Sequence, residues 1–183
     1  MMREQGLIEP DRARRKAAQR LGIDNKRCWP DNAEIQEALE SEYRLFEPEA
    51  QQHVTTRLRE QALAAMKTFA DFDPRLVGQS LSGTASLEQG VRVHLFADDP
   101  REIVFRLIDK GIPWQEGDAQ QRYADGTRQA HPSFAFMAGE VPIELVVLPA
   151  RDRQNPPLGA ISERPERGLN TRAVEQLLAD EGH

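Results

Sequence analysis

The feature that most constrains this chain is a change in the period of its apolar residues at Asp73. Before it, Val54, Leu58, Ala62, Ala65, Met66 and Phe69 recur every three or four residues, the spacing of one helical face. After it, Val91-Arg92-Val93-His94-Leu95-Phe96 alternates. That places Val91, Val93 and Leu95 on one side of a strand, with Arg92, His94 and Phe96 on the other. A chain that reads helical first and strand-rich afterwards is expected to be an α+β (α/β-type) protein, with a mixed sheet flanked by helices. Its 183 residues suit one compact domain. The expected organisation is a helical segment over 1–72 packed on a core over 73–148. A proline-rich extended segment and a C-terminal helix follow over 149–183.

Local signals fill in this outline. Residues 11–21 are rich in good helix formers and stop at Gly22. Arg12, Arg14, Arg15, Lys16 and Arg20 form a basic strip there, read as a solvated helix face. Trp29-Pro30 breaks the chain, and Asp31 to Glu34 has capping-box spacing before a helix carrying Ile35, Leu39, Tyr43 and Phe46. A third helix starts near Pro48, which suits a first turn because its missing N–H has no helical partner there. Arg75 to Val77 reads as a short strand and Ser80 to Ala85 as a small-residue turn. Asp99 and Glu102 begin a helix with Ile103, Val104, Leu107 and Ile108 facing inward, closed by Gly111. Short strands are expected at 114–116 and 121–123, with a turn at 124–127. Stronger ones are expected at 133–137 and 141–148, joined across Gly139. Asn170 caps a last helix that docks through Val174, Leu177 and Leu178.

Hydrophobic residues are 39% and charged residues 30% of the chain, a balance too apolar for disorder. The net charge of −6 provides no basic field for nucleic acid. The single cysteine, Cys28, excludes an intramolecular disulfide and suits a reducing compartment. No apolar run serves as a signal peptide or membrane span, so a cytoplasmic protein without a membrane partner is expected.

The stretch Leu76-Val77-Gly78-Gln79-Ser80-Leu81-Ser82-Gly83-Thr84-Ala85, followed by the strand Val91 to Phe96, resembles the DNA polymerase β-like nucleotidyltransferase superfamily. The resemblance spans roughly residues 73 to 148. It implies a strand running into a Gly-Ser turn, a short helix, and a strand presenting Asp-x-Asp, with a third carboxylate on a neighbouring strand. In such a site two carboxylates pointing the same way hold paired magnesium ions, which neutralise the triphosphate and activate the attacking hydroxyl. Small residues in the turn let backbone N–H groups approach phosphate.

This chain departs from the pattern at its chemical positions. Gly90 and Arg92 stand where the Asp-x-Asp pair is expected, and Glu144 matches the third carboxylate. Glycine supplies no ligand and arginine supplies a positive charge. The resemblance therefore implies a degenerate nucleotidyltransferase-like protein that has lost metal-dependent transfer. It would serve as a ligand-binding or protein-interaction domain, with no metal and no cofactor. The candidate nucleotide-binding residues are Gly78, Ser80, Ser82, Gly83, Thr84 and Arg92, for a nucleotide or another phosphorylated ligand. Arg92 is expected to pair with Glu144. An alternative keeps transfer, with Mg²⁺ held by Glu144 and either Asp98 or Asp99. Those aspartates lie six or seven residues beyond Arg92, roughly 20 Å along an extended strand. A third reading makes the N-terminal helices and the proline-rich segment a docking face for a protein partner. His94 is read as a structural histidine, and His53, His131 and His183 lack metal-ligand spacing.

Overall fold

The computed structural model describes Glu34 and residues 48–182. The helices expected over 11–21 and 35–46, the basic strip and Cys28 lie outside the described residues. Helix α1 (Pro48–Thr68) is followed by a 3₁₀ turn (Ala70–Phe72), strand β1 (Arg75–Val77), the four-residue helix α2 (Gln79–Ser82) and strand β2 (Val91–Phe96). Helix α3 (Arg101–Asp109) leads to β3 (Gln115–Arg122), β4 (Arg128–Ala138) and β5 (Val141–Leu148). A 3₁₀ turn (Ala150–Arg153) and helix α4 (Thr171–Glu181) complete the described chain.

The architecture is α+β. The five strands form one mixed sheet in the order β1-β2-β5-β4-β3, with β2 and β5 parallel and the other neighbours antiparallel. Alternation along β2 sends Val91, Val93 and Leu95 towards the helices. There they join Ile143, Leu145 and Val147 of β5, Leu58, Ala62 and Met66 of α1, Phe69 just after it, Ile103 and Leu107 of α3, and Val174 of α4 in one core. The opposite face carries a smaller cluster of Phe96, Ala119, Val146 and Leu148. No described helix is long and apolar enough to cross a membrane.

Several elements differ from the sequence expectations. Ile108 is 59% exposed, because the inward stripe of α3 is satisfied by Ile103 and Leu107 with Val104 partly covered. Asp99 does not cap through Glu102; its carboxylate accepts the Arg101 N–H at 3.0 Å and grips the Arg101 guanidinium. In place of separate strands at 114–116 and 121–123 there is one polar edge strand, β3, which runs from Gln115 to Arg122 and leaves out Trp114 and Tyr123, and β4 begins at Arg128 rather than at 133. An edge strand needs ladder hydrogen bonds more than apolar alternation, so QEGDAQQR carries little strand signal.

Residues 149–168 form a strap across the sheet face that no described helix covers. Asp152, Pro156 and Pro157 are buried, and the Arg153 guanidinium lies 4.9 Å from the Phe96 ring centroid. The strap is pinned by Asp152, whose carboxylate accepts the Tyr123 hydroxyl at 2.5 Å; the same hydroxyl lies 2.7 Å from His131 Nε2. Beyond it, Leu169 pairs with Leu76 on the edge of β1, at 2.8 and 3.0 Å. The Tyr123 hydroxyl is pushed well above its ordinary range by burial and by its bond to Asp152.

Candidate functional site

The three positions that the resemblance assigns to carboxylates come together at one end of the β2–β5 pair. Arg92 and Glu144 are register partners, and Arg92 Nε donates to Glu144 Oε2 at 2.7 Å. The pair is not buried: the side chains are 43% and 31% exposed. Gly90, just before β2, has φ +66° and lies against the backbone of β5. A Cβ there would overlap the Pro142 carbonyl oxygen and stand 2.9 Å from its carbonyl carbon. Position 90 therefore has no room for a carboxylate. Arg92 is a cation, and Glu144 is engaged by it. These residues do not offer a divalent cation the oxygen donors it needs.

Asp98 and Asp99 are not brought to Glu144. Glu144 pairs with Arg92 at the start of the ladder, which runs on to Phe96 and Leu148 before either aspartate is reached. Asp98 Oδ1 accepts the Ala150 N–H at 3.0 Å, and Asp99 is clasped by Arg101, which holds its carboxyl below the ordinary range. Among the described residues, no group of three His, Cys, Asp or Glu side chains is placed to hold a metal ion.

The small-residue turn is folded inward. Ser80 is buried and its hydroxyl bonds back to the Val77 carbonyl. The Ser82 hydroxyl donates to the Gln79 carbonyl at 3.1 Å and lies 2.9 Å from the Thr84 hydroxyl. The carbonyl of Gly83 accepts from Gln51 Nε2 at 2.9 Å and Thr55 Oγ1 at 3.3 Å. Arg59 of α1, also buried, donates to the carbonyls of Ser80 and Leu81 and pairs with Glu181. Helix α1 thus clamps the turn, and the hydroxyls expected to meet a phosphate are spent within it. The exposed amide at Gly78 is the exception; it donates to Glu166 Oε1 of the strap at 2.8 Å.

The face under the strap holds something that residue spacing did not reveal. Between β1, β2 and the strap is a cavity of about 80 Å³ lined by Arg75, His94, Phe96, Arg153, Glu166 and Arg167, with Pro156 and Pro157. His94 is 4% exposed and makes no hydrogen bond with another described residue. Burial, aided by Arg92 and then His131, lowers it to about 3, so the ring is neutral at physiological pH.

No family model, curated protein or solved structure matches this chain. Sequence reasoning had placed His94 beside Arg92 but missed Arg75, Arg153, Glu166 and Arg167. The available signal was the concentration of arginines at 151, 153, 164 and 167 within an otherwise extended stretch.

Proposed function

We propose that this chain is a nucleotidyltransferase-like protein without metal-dependent transfer, retained as a binding domain for a phosphorylated ligand such as a nucleotide. The observation that carries this reading is the geometry of positions 90, 92 and 144. One is too crowded for a side chain, and the other two are joined in an ion pair. Reaction chemistry at this spot would require a carboxylate that a simple substitution at position 90 cannot install. Loss of transfer is then a property of the backbone, not of one changed side chain. The alternative in which Glu144 acts with Asp98 or Asp99 has no geometric support, because the β2–β5 register separates them.

Two measurements test the reading together. Incubation with labelled nucleoside triphosphates and candidate acceptors, in Mg²⁺ and in Mn²⁺, is expected to give no incorporation; transfer of label would overturn the loss of catalysis. A calorimetric screen of nucleoside mono-, di- and triphosphates is expected to find binding that does not depend on added metal. Failure of every nucleotide and sugar phosphate to bind would remove the ligand-binding role.

A further inference from the structure

The cavity under the strap has the chemistry of an anion site, and it is separate from the small-residue turn. Arg75 and Arg153 reach it from β1 and from the strap. They share one counter-charge, Asp73, at 3.1 and 3.0 Å respectively. Arg167 is exposed and makes no ion pair with another described residue. Against these three guanidinium groups stand the carboxylates of Asp73 and Glu166, so the wall carries a net single positive charge. The His94 ring lines the same space and makes no hydrogen bond with another described residue. A neutral imidazole carries one N–H, and a ligand oxygen in this space can accept it.

Size restricts the ligand. A cavity of about 80 Å³ is far smaller than the roughly 300–1,000 Å³ pockets that enclose whole drug-sized ligands. It can take a compact anionic group, with the remainder of the ligand left outside. Planar guanidinium groups suit the oxygens of such a group because two parallel N–H donors can meet two oxygens.

We propose that this cavity binds the phosphoryl group of a small phosphorylated ligand, through Arg75, Arg153 and Arg167 with His94 at the floor. This deepens the ligand-binding role proposed above and rests on it, but moves the site from the turn at 78–84 to the strap. Glu166 has a double place here. It caps the Gly78 amide at 2.8 Å and presents negative charge to the same cavity, so it opposes the anion that the arginines attract.

The test is an NMR titration of the full chain at low salt with inorganic phosphate, ribose 5-phosphate and AMP, following the His94 imidazole and Gly78 amide resonances. All three probes are expected to shift His94. Equal affinities assign recognition to the phosphoryl group alone, and tighter AMP binding shows that the protruding nucleoside adds contacts; both support the site. Arg167→Ala, which breaks no ion pair among the described residues, should weaken phosphate binding roughly tenfold, the loss of one charge-assisted contact. Glu166→Gln keeps an oxygen for the Gly78 amide and should tighten binding severalfold. Arg57→Ala, which removes an equal charge far from the strap where Arg57 pairs with Glu140, should change nothing. Should the chain bind phosphate while both strap variants match the parent, the site lies elsewhere, and ligand binding itself survives. No His94 shift with any of the three probes overturns the site, and the wider nucleotide screen then decides the ligand-binding role separately.

Discussion

Gly90→Ala isolates the close approach of β5 to position 90. Two costs are expected. The backbone at Gly90 has φ +66°, where a side chain costs roughly 1–2 kcal/mol. The new Cβ would also collide with the Pro142 carbonyl, a backbone group held in β5 by its ladder to β4. Forcing strands to shift for an added carbon costs about 1–3 kcal/mol. The sum is about 3 kcal/mol, or a fall in Tm of roughly 6–12 °C for a domain of this size. Gly139→Ala is the control, because Gly139 has φ +63° with nothing within 4 Å of its would-be Cβ. It should lose only the conformational part, about 1 kcal/mol. Urea denaturation of the two variants measures the difference. Equal losses, to within about 0.5 kcal/mol, would refute the crowding at position 90 and reopen it to an aspartate.

Two further outcomes can be stated. A double-mutant cycle on Arg92→Ala and Glu144→Ala should give a coupling of about 1 kcal/mol or less, because both side chains are substantially exposed; 3 kcal/mol or more would mean the pair behaves as a buried one. For His94, the folded ring titrates at about 3, and the unfolded ring near roughly 6.5. Below the unfolded value the unfolded chain takes up a proton that the folded chain refuses. Stability is therefore full above about pH 6.5 and is lost as pH falls towards 3. His94→Gln should flatten the stability profile between about pH 6 and pH 4 by about 1.4 kcal/mol per pH unit. An unchanged slope in chemical denaturation would show that His94 is not held neutral.

The class of the fold was legible because it rests on local periodicity. The stripe of α1 and the alternation of β2 each need only their own residues to be recognised, and both are buried as read, apart from the partly covered Val54. Gly111 and Asn170 were legible for the same reason, since a cap is a contact within a few residues. Strand β3 was read in two pieces because an edge strand draws its stability from backbone bonds to β4, and those leave no mark on side-chain pattern.

What the sequence determined by itself is that positions 90 and 92 are a glycine and an arginine and that a small-residue stretch precedes them. It could not determine which way that turn faces. Tertiary structure decided that Arg59, Gln51 and Thr55 draw the turn onto α1. It also placed Pro142 against Gly90 and brought Arg153, Glu166 and Arg167 across some seventy residues of chain onto β1 and β2. Each of these depends on how the sheet pairs and how the strap crosses it, and a side chain carries no local signal of a neighbour brought to it only by chain closure.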